Sequence, residues 1–198
     1  NGFRDAYIRL LVSRGEGDLG LDPNKCRGPN IVIIVDQIQL YPRELYTRGL
    51  KVMSVATRRT ACESLNPRIK VIMLNAEGYV VEGTGDNIFV VKDGRLATPP
   101  GFVGILEGVT RNAVIDLARA MGLVVEEKVF TRHDVYNGDE CFLTGTAAEV
   151  IPVVEADGRT IGTGKPGPIT LRLMEGFRKL TMTDGVPVYA DEPAAAAQ

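Results

Sequence analysis

The chain has 198 residues, 44% hydrophobic and 24% charged. That is room for one large domain, or one and a fraction, with the composition of a soluble globular protein. Its 23 basic and 25 acidic residues leave a formal charge of −2, so there is no basic field for nucleic acid, and no apolar run approaches the roughly 20 residues needed to span a bilayer.

The opening, NGFRDAYIRL, lacks the basic start and apolar core of a secretory leader. Cys26, Cys62 and Cys141 form no close pair, so reduced thiols in a cytoplasmic protein are expected. A single histidine and no CxxC argue against zinc. His133, in Thr-Arg-His-Asp, reads as a turn or helix-entry residue, with no second histidine to build a hydrolase triad around.

In chain order, Ala6–Ser13 alternates and is β-branched, so it reads as a strand entered almost at once. The sequence therefore reads as beginning inside a longer protein. Residues 14–29 are rich in Gly, Asp and Pro and form a loop. Ile31–Val35 is a continuous apolar run, consistent with a buried strand. In residues 41–50, Pro42 suits a first helical turn and Gly49 the position past the end, giving a short helix. Residues 51–57 are a strand and 60–67 a loop.

Residues 74–89 build a hairpin around Ala76-Glu77-Gly78 and then a glycine-rich bend. Residues 88–91 and 95–97 pair across Asp93-Gly94, which supplies the positive φ angles of a tight turn. Residues 110–121 form the best helix, with Ala113, Val114, Leu117, Ala118 and Met121 on one face and Gly122 closing it. Strands follow at 124–129 and 140–144, and a hairpin at 150–155 and 159–161 turns on Asp157-Gly158. Residues 169–180 form a second helix with Ile169, Leu173, Phe177 and Leu180 on one side, and the tail from Thr181 is expected to be mobile. The pattern is α+β, rich in antiparallel hairpins, without the regular alternation of a doubly wound sheet.

Two phosphate motifs fail. Residues 83–88 have Ile88 where a dinucleotide fingerprint needs its third glycine, and residues 158–166 have Pro166 where a P-loop needs Ser or Thr. Glu82 says more. It directly precedes Gly83-Thr84-Gly85, where backbone can approach a ligand closely. A carboxylate so placed can keep a pyridine nitrogen protonated, as pyridoxal phosphate (PLP) chemistry requires. Gly108-Val109-Thr110 opens the best helix, whose exposed amides and dipole favour an anion. Gly145-Thr146-Ala147 ends a strand with two amides and a hydroxyl. Taken singly these are a surface carboxylate, a helix cap and a tight turn; together they suggest a cofactor site. Lys70, upstream of Glu82, lies between Ile69 and Val71, and a Schiff-base lysine needs such apolar neighbours.

The segments Gly17–Pro23, Leu40–Leu50, Glu82–Gly94, Gly104–Ala118 and Asp139–Val153 resemble the class IV PLP-dependent aminotransferases, and among them the branched-chain amino acid aminotransferases. The resemblance implies the D-amino-acid-aminotransferase-like fold (PLP fold type IV). Residues 1–38 would be the end of a small N-terminal α/β domain and 39–198 the large PLP-binding domain. It implies transamination of Leu, Ile and Val with 2-oxoglutarate by a ping-pong mechanism, in a homodimer or homohexamer. Lys70 would link covalently to PLP and move the substrate proton. Glu82 would pair with the pyridine nitrogen, and Gly108, Val109, Thr110 and Thr146 would bind the phosphate. Gly145, Thr146 and Ala147 would lie near the substrate carboxylate. Asp86 stands where relatives often have Glu.

Two departures accompany the resemblance. The family's small domain, with an arginine that contacts the phosphate, precedes the position of Asn1. In the family a Ser-Leu-Asn-Tyr-like stretch and a helix separate the lysine from the next strand, whereas here Lys70 runs straight into Val71. A missing segment between 70 and 71, in a cofactor-free form of a longer enzyme, is the expectation. A D-amino-acid aminotransferase or an aminodeoxychorismate lyase would share the same cofactor motifs, and a truncated, non-catalytic domain is the alternative from another class.

Overall fold

The computed structural model describes residues 2–3, 6–16, 26, 28–37, 41–55 and 71–185. Lys70, Cys62, most of the first loop, the 60–67 loop and the tail from residue 186 lie outside the described residues. The chain divides into two compact units, Asn1–Leu40 and Tyr41–Gln198.

In the first unit, β1 (Tyr7–Ser13) and β2 (Asn30–Asp36) pair antiparallel, from Tyr7 opposite Asp36 to Ser13 opposite Asn30. The apolar run of β2 does not make it a buried strand. Ile31 and Ile33 are 64% and 62% exposed. A two-stranded ribbon has two open faces, and no other strand or helix of this unit's described residues is there to cover them.

The second unit begins with α1 (Arg43–Arg48), for which Pro42 is the N-cap and Gly49, at φ +86°, the exit into β3 (Leu50–Val55). There follow β4 (Val71–Leu74), β5 (Val80–Gly83), β6 (Asn87–Lys92), β7 (Arg95–Thr98), α2 (Val109–Ala120) and β8 (Val125–Glu127). Then come α3 (Arg132–Tyr136), β9 (Glu140–Gly145), β10 (Glu149–Ala156), β11 (Arg159–Thr160) and α4 (Pro168–Thr183). The strands form one nine-stranded sheet in the order β5-β4-β3-β10-β9-β6-β7-β8, with β11 on β10. β3 runs parallel to β4 and β10, and β7 to β8; the other pairs are antiparallel. The Val80 N–H in β5 donates to the Phe130 carbonyl, just past β8, at 2.9 Å, so the sheet curls until its two edges approach.

The hairpin turns form for the expected reason. Asp93-Gly94 sits at φ +50° and +71°, and Asp157-Gly158 at +52° and +73°, the left-handed pair whose twist matches the strands. Alternation along β9 sends Cys141 and Leu143 to one side, among Val52, Ile72, Val80 and Ile88. Phe142 points to the other, stacked on Phe89 at 4.9 Å between centroids, beneath α2 and α4. Val114, Ala118, Leu173 and Phe177 are buried there as their spacing predicts. α2 also buries Thr110, Arg111 and Ile115, a wider face than the apolar residues define. The strand expected over 124–129 shortens to Val125–Glu127, and α3 holds His133, which the sequence marks as a turn or helix-entry residue without defining a helix there. Its signal was a capping box: Asp134 accepts from the Thr131 N–H and hydroxyl, both at 2.8 Å.

Candidate functional site

Glu82 lies at the end of β5, 5% exposed, immediately before the Gly83–Asp86 bend. A buried carboxylate must be met by donors. The Leu106 N–H donates to its Oε2 at 2.9 Å and the Asn87 amide at 3.3 Å. The Asn87 amide also donates to the Leu106 carbonyl at 2.7 Å, so Glu82, Asn87 and both backbone groups of Leu106 form one closed ring.

Asn87 is equally close to the start of α2. A Cβ placed on Gly108 would fall inside contact distance of Asn87 Oδ1, so any larger residue there must displace that amide. Gly108 is the N-cap of α2 and supplies no side-chain bond; no acidic residue stands in the first turn. Arg111 does stand there. It is 3% exposed, and its guanidinium reaches the Pro99 carbonyl at 3.0 Å and Glu127 at 2.7 Å, which ties the first turn of α2 to β7 and β8.

The third loop joins at the same place. Asn87 pairs with Thr144 in the β6–β9 ladder. The next residue, Gly145, leaves no room for a Cβ, which would stand 2.5 Å from Asp86 Oδ1. Tyr41, buried, donates to Asp86 Oδ2 at 3.4 Å. Thr146 is exposed in the turn between β9 and β10. The Tyr46 hydroxyl donates to the Ala148 carbonyl at 3.1 Å. Burial, and then the nearby Glu149 carboxylate, push that phenol up to about 12. Glu149 itself holds φ +55°, a left-handed conformation that costs a non-glycine residue about 1 kcal/mol or more and marks the loop as over-determined by its surroundings. The Thr144 hydroxyl oxygen is buried without a partner among the described residues.

The structure thus brings together Glu82, Gly108-Val109-Thr110 and Gly145-Thr146-Ala147, and Asp86-Asn87 is what joins them. Asn87, Leu106 and Tyr41 were not singled out from the sequence. The Asn87 signal was available, since an amide directly after a Gly-x-Gly-Asp bend has backbone on several sides to bond. Lys70 lies outside the described residues; Val71, the next residue, opens β4, and Ile72 faces Gly83 across the ladder. His133 is exposed in α3, and its carbonyl accepts from the Asn137 amide. It lines a cleft of about 380 Å³ with Thr131, Arg132, Tyr136, Arg159 and Gly78, separate from the Glu82 ring.

A buried carboxylate facing a glycine bend, an uncapped helix start and a hydroxyl-bearing turn are the parts of a site for a phosphorylated cofactor with a basic ring. Comparison with known proteins gives the same class. The class IV amino-transferase family model matches residues 69–156. A Methanocaldococcus jannaschii protein that carries a provisional branched-chain-amino-acid aminotransferase name is 44% identical over 96% of this chain and 72% of its own. The crystal structure of the Escherichia coli branched-chain amino acid aminotransferase superposes with TM-score 0.81 at 34% identity, covering 88% of this chain and 65% of that one. The branched-chain aminotransferase of Thermoproteus uzoniensis, solved with norvaline, gives 0.75 at 35% identity over 91% and 66%. A further branched-chain amino acid aminotransferase structure, solved with pyridoxamine 5′-phosphate, gives 0.80 at 31% identity over 90% and 66%. The chain belongs to the class IV aminotransferases, a PLP-dependent family. It spans about two thirds of the length of the relatives it matches.

Proposed function

We propose that the protein transaminates branched-chain amino acids (Leu, Ile and Val) with 2-oxoglutarate in a ping-pong, PLP-dependent cycle. The observation that carries this is the convergence on Asp86-Asn87 of a buried carboxylate, an uncapped helix start and a hydroxyl-bearing turn. The donor set fits the cofactor. Glu82 suits a protonated ring nitrogen. The first amides of α2, from Val109 and Thr110, carry no capping side chain and suit a phosphate, with Gly108 giving clearance and the Thr110 and Thr146 hydroxyls available as further donors.

Bound PLP supplies an electron sink for the charge left on a substrate Cα when its proton departs. The chain's residues do the rest. Glu82 holds the proton on the ring nitrogen. Gly108, Val109, Thr110 and Thr146 hold the phosphate. Gly145, Thr146 and Ala147 orient the substrate carboxylate through the turn amides. Lys70 would hold the cofactor and would move the proton at the substrate Cα.

The names of the relatives favour branched-chain substrates over those of a D-amino-acid aminotransferase or an aminodeoxychorismate lyase. We further assign residues 1–38 to the end of a small domain and 39–198 to the large one, in a cytoplasmic homodimer or homohexamer. Steady-state rates with L-Leu, D-Ala and aminodeoxychorismate test the substrate: turnover of L-Leu is expected, and reaction with D-Ala alone would overturn the assignment.

One observation favours a second reading, a non-catalytic domain. The M. jannaschii alignment runs over 210 positions, yet 96% of 198 residues is about 190, so about 20 positions are filled by the relative alone. A connection shortened between Lys70 and Val71, expected from the sequence, would account for them. The intact mass under denaturing conditions separates the readings. A mass well above 21.4 kDa supports the enzyme, and one equal to it, with no yellow adduct after reconstitution with PLP, supports the alternative.

A further inference from the structure

We propose that Asn87 is a positioning residue that sets the distance between Glu82 and the first turn of α2, and so the length of ligand that can bridge them. The inference rests on the PLP reading above and adds a residue to it. Three contacts of one short side chain carry it. The amide nitrogen holds the Glu82 carboxylate at 3.3 Å. The same nitrogen holds the Leu106 carbonyl at 2.7 Å, while the Leu106 N–H holds Glu82 at 2.9 Å. The amide oxygen stands where a Cβ on Gly108 would fall, so it closes that side of the helix start.

Glu82 and the helix start belong to segments 26 residues apart, on different elements. Asn87 touches both, and the β6–β9 ladder fixes it in turn, with Asn87 opposite Thr144 and Ile88 opposite Leu143. A side chain braced on one end and bonded at the other acts as a spacer. Only a carboxamide does all of this at that length. Aspartate would place a second negative charge beside Glu82 and lose the donor to Leu106. Alanine would leave the Leu106 loop without its donor and Gly108 without its stop.

The role predicts a pattern that general structural damage does not produce. A ligand spanning both ends should suffer from a lost spacer, and a ligand touching one end should not. The test uses the full-length protein freed of cofactor, with PLP and inorganic phosphate as probes in calorimetric titrations. Asn87→Ala is expected to weaken PLP about tenfold or more while changing phosphate affinity less than about threefold. Asn87→Asp is expected to weaken phosphate as well, because it brings a carboxylate to the helix start.

Hydrogen exchange in the ligand-free protein gives a readout independent of any cofactor. The Leu106 amide should exchange faster in Asn87→Ala, while the Thr170 amide, bonded to Glu140 at 2.7 Å, should not change. If PLP and phosphate weaken equally, or if Leu106 exchange is unaltered, Asn87 is not the spacer. If the wild-type protein binds no PLP while Leu106 exchange still responds to Asn87, the functional reading fails and the structural hold stands without its proposed purpose.

Discussion

α2 and α4 begin in the same way and end up with opposite chemistry. Each has a glycine N-cap, Gly108 or Gly167, with no side-chain cap of its own. Each glycine is pressed by a polar side chain from one of two neighbouring strands, Asn87 of β6 at α2 and Glu140 of β9 at α4. At α4 the intruder is an anion. Glu140, 7% exposed, accepts from the Ile169 N–H at 3.0 Å, the Thr170 N–H at 2.7 Å and the Thr170 hydroxyl at 2.6 Å. That helix start is saturated, and its dipole is met from within. At α2 the intruder is neutral, and the charged residue of the first turn is a cation, Arg111, balanced by Glu127. The molecule supplies the anion itself where the role is structural. Where it supplies an amide, among the described residues the N-cap gives no side-chain bond and the first turn holds no acidic residue.

The largest effect should come from removing the internal anion. Glu140→Ala strands three donors at a buried helix start, so a stability loss of about 2–4 kcal/mol is expected in urea unfolding. A loss below about 1 kcal/mol would show that α4 does not depend on its built-in anion, and the contrast between the helices would lose its basis. Gly108→Ala comes next. Its Cβ must displace Asn87, at a cost of about 1–3 kcal/mol, and PLP affinity should fall with it. Shortening the neighbour should relieve the clash, so Asn87→Ser combined with Gly108→Ala is expected to be non-additive in a double-mutant cycle. Additive losses would mean that the two residues do not press on one another.

Much of this was legible in the sequence because it rests on local rules. The Asp-Gly turns, the apolar stripe of α2 and the glycine flanking Glu82 follow from φ angles and periodicity. The burial of β2 was misread because an apolar run reports what a strand could bury, not whether a second layer is present to bury it. Asn87 and Tyr41 escaped because their meaning lies in partners 19 and 45 residues away, Leu106 and Asp86. The spacing of motifs indicated which loops meet. The residue through which they meet required the ladder register, which places Asn87 opposite Thr144. Glu140 escaped for the same reason: a helix cap supplied 30 residues away leaves no capping motif beside Gly167.

The smallest effect concerns the outer support of the third loop. Tyr46 holds the Ala148 carbonyl with one hydroxyl, so Tyr46→Phe should cost about 1 kcal/mol, a single neutral hydrogen bond. The pH dependence gives the cost a signature. Burial and Glu149 raise the folded phenol from 10.0 to about 12, so the fold favours the protonated hydroxyl that makes the bond. A raised folded value means the contribution is fully present below pH 10 and is lost as pH climbs from 10 towards 12. The difference between wild type and Tyr46→Phe should therefore be flat from about pH 6 to 9 and change only above about 10. Tyr46 supports this loop at Ala148, two residues past Thr146, the one residue of the loop assigned to the phosphate, so the variant should alter KM for the 2-oxo acid more than it alters inorganic phosphate binding. Equal changes in both would mean that the support from Tyr46 reaches the phosphate through Thr146 as strongly as it reaches the substrate carboxylate.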